Sequence, residues 1–315
     1  MPGITGMGTT FNLPNFVGEL FGLTPSDTPF LSAIGGLTGG EHASSPNFQW
    51  QEYDLRDAGQ NTKLEGAKAP DAESRVRRSV DNLVQIHQEV VDISYTKLAA
   101  TGQHAGLNIA GTNPVQNEAA FQTQAMLKQI GRDVEYSFIN GMYHKPADNT
   151  TARKTRGILE AITTNVVTNA SPAELTDKTV LDLMQMVWDN GGIRESETAT
   201  VIVNSTQKRK LTKAFITDRG FQEDTRNVGG INLQTIETDF GKLNIMLNRH
   251  MPQDQLAVVS LEKCAPVFLM IPGKGFLFIE PLGLESASDR SQIYGEIGLK
   301  YGSEQAHGKI TGLAV

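Results

Sequence analysis

"NEAAFQTQAMLKQIGRDVEYSFINGMYH", Asn117–His144, is the stretch on which the reading of the fold turns. Met126, Ile130, Val134, Phe138 and Met142 recur at every fourth position, and Phe121, Leu127, Ile139 and Tyr143 widen the stripe. Lys128, Arg132, Asp133 and Glu135 fall off its centre. One helix over this span would run roughly 40 Å. That is long for a globular domain, where helices average about 11–12 residues.

Upstream lie two β-type runs, "FQWQEYDL" (Phe48–Leu55) and "NLVQIHQEVVDISYTK" (Asn82–Lys97), the second alternating through Val84, Ile86, Gln88, Val90 and Asp92. They predict a long hairpin. Between them "RDAGQNTKLEGAKAPDAESRVRRS" (Arg56–Ser79) is polar and without apolar periodicity. Unstructured connections beyond about 12–15 residues are uncommon in compact domains, and a two-stranded ribbon is marginal in water on its own. This ribbon needs a neighbour.

Residues 1–47 read as an arm. The first Lys or Arg is Arg56, and only Glu19, Asp27 and Glu41 carry charge before position 48, while Phe11, Phe16, Phe21 and Phe30 are aromatic. A disordered tail has the opposite character. Within "TPSDTPFLSAIGGLTGG" (Thr24–Gly40), Thr28, Pro29 and the Gly35-Gly36 pair bracket one or two turns of helix. So short a helix is marginal alone. Phe30, Leu31, Ile34 and Leu37 are therefore expected to rest on another copy of the molecule, or in a groove that exists only once copies meet.

Downstream, "KPADNTTARKTRG" turns the chain and "TDKTVLDLMQMVWDNGG" is an amphipathic helix stopped by Gly191-Gly192. "TATVIVN" is a buried-type strand, and Ser205 is expected to cap the basic helix "TQKRKLTKAF". "INLQTIETDFGKLNIMLN" reads as a hairpin turning at Asp239–Gly241; "LAVVSLE", "APVFLMIPG", "GFLFIEPL", "SQIYGEIGLKYG" and "HGKITGLAV" are further strands. The class is mixed α/β, of the α+β kind, with 172–272 as a separately packed unit.

Bulk composition narrows the function. The 315 residues are 39% hydrophobic and 20% charged with net charge −7, which argues against a dedicated nucleic-acid binder. A single cysteine, Cys264, leaves no disulfide framework or thiolate-rich metal site and fits a reducing cytosol. No apolar run reaches about 18 residues, and no secretory signal opens the chain.

Several stretches, in order, resemble tailed-phage major capsid proteins with the Johnson fold: "GELFGLTPSDTPFLSAIGG", "VEYSFINGMYHK", "TRGILEAI", "NVGGINLQTIETDFGKLNIMLNRHMP", "VFLMIPGKG" and "YGEIGLKYGSEQAHGKITGL". The resemblance implies an N-terminal arm at 1–47 and an extended hairpin loop at 48–97. It implies a peripheral domain at 98–171 with spine helix 117–144, an axial domain at 172–272, and C-terminal strands at 273–315 that complete the peripheral domain. It further implies hexamers and pentamers of one subunit in an icosahedral virion shell, assembled in the host cytoplasm. A precursor shell would expand around packaged double-stranded DNA, without sequence-specific binding. Partners would include a portal and decoration proteins. Because the arm begins almost at Met1, a separate scaffolding protein is expected. No cross-linking Lys–Asn pair is placed by motif. A bacterial nanocompartment shell shares the architecture and is the alternative.

No catalytic, cofactor or metal residues are assigned. Cys264 and His250 flank an apolar strand without a third orienting group, so Cys264 reads as a small core residue rather than a nucleophile. The histidines lack zinc-site spacing, and "GGLTGG" and "PGKGF" lack the phosphate-cradle pattern. Three basic clusters stand out: Arg75, Arg77 and Arg78; Arg153, Lys154 and Arg156; Lys208, Arg209, Lys210 and Lys213. The first alternates with Asp71 and Glu73 and is expected to meet acidic partners across subunit boundaries. The expected inter-subunit contacts are Phe16, Phe21, Phe30, Leu31 and Ile34 in the arm, with Trp50, Tyr53, Arg75, Arg77 and Arg78 in the ribbon.

Overall fold

A computed structural model describes residues 24–99, 118–193, 199–217, 235–283 and 286–315. Proline opens helix α1 (Pro29–Ala33), and Gly35 and Gly36, at φ +128° and +69°, turn the chain out of it. Strand β1 (Glu41–Ala43) follows. Then β2 (Asn47–Tyr53) and β3 (Arg77–Leu83) form an antiparallel ribbon, with Asn47 opposite Leu83 and Tyr53 opposite Arg77. After a break at Val84 come β4 (Gln85–Ser94) and α2 (Tyr95–Ala99). The long helix α3 (Glu118–Asn140), the turn α4 (Ile158–Ala161), β5 (Val166–Ala173) and α5 (Asp177–Asp189) lead to β6 (Ala199–Val203). Helix α6 (Ser205–Thr212) continues into a π-helical turn, Lys213–Thr217. The chain closes with β7 (Thr235–Thr238), β8 (Gly241–Leu247), β9 (Leu256–Val259), β10 (Ala265–Leu269), β11 (Leu277–Pro281), β12 (Ser288–Lys300) and β13 (Gly308–Leu313).

Two compact units contain these elements. In the smaller (Met1–Asp27, His87–Asp133, Leu277–Gly295), β11 runs antiparallel to the first part of β12, Leu277 opposite Gly295, and Tyr95 N donates to Ala287 O at 3.2 Å. Along β4 the buried side chains are His87, Val91 and Ile93. Ile86, Gln88, Val90 and Asp92 face out, so the alternation expected to be continuous from Val84 changes parity at the break.

The larger unit holds a six-stranded sheet in the order β5-β13-β9-β6-β8-β7. Every residue of β6 is buried, Thr200 included, as its apolar-rich run requires between parallel β8 and antiparallel β9. Helix α5 lays Val180, Leu183, Met184 and Val187 on this sheet, and its Thr176 cap accepts from Thr179 N at 3.2 Å. A Cβ on Gly308 would lie 2.6 Å from Val187 Cγ2, so the closing strand admits the helix only as glycine. The expected C-terminal grouping is thereby corrected: β13 hydrogen-bonds β9 and β5 and joins the sheet of the 172–272 region. β5 had no sequence signal, because "VVTNASPA" mixes polar residues into an edge strand. The α6 cap is also one residue earlier than expected, where Asn204 Oδ1 accepts from Thr206 N at 2.7 Å.

The leading segment packs on its own chain. Phe30 and Leu31 are 0% and 2% exposed, Ile34 is buried and Leu37 half-buried. Phe30, Leu31 and Ile34 are thus covered by their own chain rather than by another copy, and the reason is Glu135. Its carboxylate, fully buried, accepts from Phe30 N at 2.9 Å and Leu31 N at 2.6 Å, and also from Asn248 Nδ2. The first N–H groups of α1 have no intrahelical acceptor, and a side chain on α3 supplies it. β1 then pairs in parallel with β10, and Gly40 passes so near Pro266 O that a Cβ would sit 2.4 Å away. Helix α3 ends at Asn140, short of His144; there Gly141 O accepts from Gly157 N at 2.8 Å, and only glycine fits, since a Cβ would meet Ser137 O at 2.3 Å and Thr155 O at 2.6 Å. Met142 is consequently 71% exposed and outside the stripe. Glu135→Ala is expected to destabilise the unassembled chain by about 3 kcal/mol in urea, since buried donors lose their acceptor. Hydrogen exchange should rise first at Phe30 and Leu31; unchanged exchange there would contradict the role.

His307 is fully buried between strands: its Nδ1 accepts from Ser260 N at 3.2 Å, and its Nε2 faces Tyr301 O at 2.7 Å. The ring is therefore the neutral Nε2–H tautomer, and protonating Nδ1 would break the Ser260 bond. Burial pushes its pKa, and that of His87, down to about 4. Between that value and the ordinary 6.5 the unfolded chain binds more protons, so stability is full above pH 6.5 and is lost as pH falls towards 4. His307→Gln should remove up to about 3 kcal/mol of the stability change between pH 7 and pH 4 in the unassembled chain. An unaltered slope would refute the assignment.

Candidate inter-subunit surface

The ribbon is firmly seated at one end and bare at the other. At its base Asn82 is fully buried and all its hydrogen-bonding capacity is used. Nδ2 donates to Leu299 O (2.6 Å) and Arg156 O (3.1 Å), and Oδ1 accepts from Arg156 N and Leu83 N, both at 2.8 Å. Gly298 lets β12 approach, since a Cβ there would lie 2.6 Å from Leu83 O. Beside it Tyr143 donates to Asp81 Oδ2 at 2.7 Å, and the Arg156 guanidinium stacks 4.3 Å over the Tyr143 ring while donating to Tyr301 Oη at 3.1 Å. Burial, and then the Asp81 carboxylate, push the Tyr143 phenol up to about 12.

Trp50, expected between subunits, is half-buried on this base: its ring meets Tyr301 edge-on at 4.9 Å and Nε1 donates to Gly302 O at 3.0 Å. Part of the Trp50 ring is thus covered within its own chain. The alternation of β2 turns Phe48, Trp50 and Glu52 to one face, and that face has a floor in the same chain.

Beyond the base the picture reverses. Residues 53–79 are exposed throughout, including Tyr53, Leu55, Leu64 and Val76 at 69%, 68%, 86% and 83%. The second ribbon strand begins at Arg77, inside the stretch expected to be without structure. The antiparallel register places Arg78 opposite Glu52, and the pair closes at 2.7 Å; Arg75 meets Glu73 at 2.9 Å. Two of the three ribbon arginines thus find acids within the ribbon, whereas Arg77 has no ion pair among the described residues. Phe16 and Phe21 lie outside the described residues.

Of the other two basic clusters, Lys154, Arg209 and Lys213 are exposed, whereas Arg153 and Lys210 are held within the chain. Arg153 pairs with Glu296 and donates from Nε to Val84 O at 2.8 Å, and Lys210 Nζ donates to Ala314 O at 2.7 Å. The Cys264 thiol is buried and pushed up to about 12, the reverse of an activated nucleophile. No group of His, Cys, Asp and Glu among the described residues could hold a metal ion, and no described helix is long and apolar enough to cross a membrane.

A family model described as SU10 major capsid protein matches residues 3–314. The chain belongs to that family. It is a structural subunit of a phage head shell, not an enzyme, and it acts by associating with itself in the virion. Among curated proteins no sequence matches it. Solved structures share the fold at low identity. The capsid of cyanophage A-1(L) aligns at TM-score 0.69 and 10% identity, covering 99% of this chain and 100% of that one. The capsid of an empty GTA particle gives 0.65 and 12%, with 99% and 98% covered. The SrpI encapsulin of Synechococcus elongatus PCC 7942 gives 0.59 and 12%, with 96% and 92% covered.

Sequence reasoning missed Asn82 and Glu135 in this capsid subunit. Each is a polar residue whose deciding partners are distant in the chain, Arg156 and Leu299 for Asn82 and Phe30, Leu31 and Asn248 for Glu135. Asn82→Ala leaves a carbonyl of β12 and the Arg156 peptide unpaired, which should cost about 3 kcal/mol. In a Trp188→Phe background it should also shift Trp50 emission to the red; unshifted emission would show that the base does not depend on Asn82.

Proposed function

We propose that the ribbon of each capsid subunit is completed by the neighbouring subunit, which covers residues 53–79. What supports this reading is the contrast within one hairpin: a base fixed by the fully satisfied amide of Asn82 carries a tip whose apolar side chains lie largely in water. Large exposed apolar groups gathered on one projection mark an interaction surface. In this reading 1–47 is the arm and 48–97 the extended loop. The 98–171 region, with the closing strands other than β13, forms the peripheral domain, and 172–272 gathers around five-fold and six-fold axes. Hexamers and pentamers then close an icosahedral shell around double-stranded DNA in the host cytoplasm.

Arg77 and Tyr53 are the ribbon residues that keep an inter-subunit role in this proposal; Arg75 and Arg78 add rim charge. A separate scaffolding protein, a portal and decoration proteins complete the assembly. One structural neighbour, the satellite phage P4 procapsid (TM-score 0.55, 13% identity), includes a size determination protein, which gives the idea of an accessory factor a precedent. A nanocompartment shell is the second reading, supported by the encapsulin likeness, and the family match weighs against it.

Replacing residues 54–76 by Asn-Gly, the preferred two-residue hairpin turn, tests the reading. The shortened chain should keep its far-ultraviolet spectrum and its Trp50 environment, yet give no shells by negative-stain microscopy where the full chain does. Shells of normal size from the shortened chain would end the proposal.

A further inference from the structure

The larger unit carries a cavity of about 520 Å³ beside the ribbon base. Pro46, Ile86, Pro146, Ala147 and Ala152 give it an apolar wall. Its rim carries two exposed lysines, Lys145 and Lys154, and one exposed acid, Asp148. Arg153 also lines it, but that guanidinium is already held by Glu296 and Val84 O. Ser45, Asn47, Gln85, Asn149 and Thr151 line it as well, so the cavity surface is more apolar than polar and carries charges of both signs.

The same chain displays a group of matching character. Leu64, at 86% exposure, is the most exposed large apolar side chain among the described residues, and it stands between Lys63 and Glu65 at the far end of the ribbon. A leucine flanked by one cation and one anion complements a hole rimmed by one anion and two cations. Leu64 does not fill the cavity of its own chain, because it is solvated while the cavity adjoins residues 45–47 and 83–86 at the opposite end of the hairpin.

We propose that the cavity receives Leu64 of a second copy, with Glu65 reaching Lys145 or Lys154 and Lys63 reaching Asp148. A knob and a hole at separate places on one surface make a head-to-tail contact, which propagates into rings or lattices rather than stopping at a pair. That is the contact a closed shell needs. The inference rests on the reading that a neighbour covers the ribbon tip, and it adds the seat.

Cysteines at Leu64→Cys and Ala147→Cys test it on assembled shells of the full chain, since the buried Cys264 thiol stays protonated and does not compete. Oxidation should give a ladder of covalently linked chains on a denaturing gel, because two cysteines bridge only when their Cα atoms come within about 7 Å. Either single cysteine should give no ladder. Shells that form but yield no ladder overturn the seat while leaving the covered ribbon standing; excision of 54–76 judges that separately.

A charge exchange gives the second arm. Glu65→Lys and Lys145→Glu should each raise the protein concentration needed for assembly, and the double variant should restore it. Leu64→Ser should raise it roughly tenfold, the loss expected for one buried leucine. Each change lies on an exposed residue, so far-ultraviolet spectra should stay native. Assembly indifferent to all of these substitutions would assign the cavity to another occupant and overturn the proposal.

Discussion

A ribbon of two strands has two faces and two free edges, and this chain covers only the lower part of one face. Everything distinctive about the subunit follows from that shortfall. Trp50, Phe48 and Asn82 find a floor on β12 and the segment around Arg156, so the hairpin leaves the body in a defined direction. From Tyr53 outward no floor exists. Burying a large apolar side chain is worth about 1.5–3 kcal/mol. Four such groups left in water are a store of association energy that only a second surface can release.

The base and the tip have opposite requirements. A positioning element must not move, and the satisfied amide of Asn82, the Arg156–Tyr143 stack and the absence of a Cβ at Gly298 remove its freedom. A mating element must remain unsatisfied within its own chain. Charges follow the same logic: Arg78 and Glu52 pair across the strands and hold the hairpin register, while the groups beyond them stay solvated. The leading segment belongs to the rigid part. Glu135 caps α1 from within α3, so a segment too short to be a helix by itself is held by a carboxylate 104 residues away.

Much of this was legible before any coordinates. The fourth-residue stripe gave α3, the apolar-rich run gave β6, the Gly191-Gly192 pair ended α5, and Asp239–Gly241 marked the β7–β8 turn. The signals that failed share a cause. Glu135 and Asn82 are polar residues in apolar company, and periodicity places such residues outside when their partner is another segment's backbone. The parity change at Val84 is invisible to a two-residue period, because the strands on either side pair with different neighbours. β5 is an edge strand whose composition is that of a loop.

Local chemistry along the chain therefore determined which segments are helix, which are strand, and that one hairpin would be too polar and too long to fold upon itself. Those properties depend on neighbours within a few residues. Which apolar groups are covered by the chain and which await another copy was decided only in three dimensions. Phe30 and Leu64 are equally apolar as letters; one is buried where a carboxylate from a distant helix holds its backbone, and the other stands in water at the far end of an anchored ribbon. Burial is a property of the surroundings, and the surroundings exist only after folding.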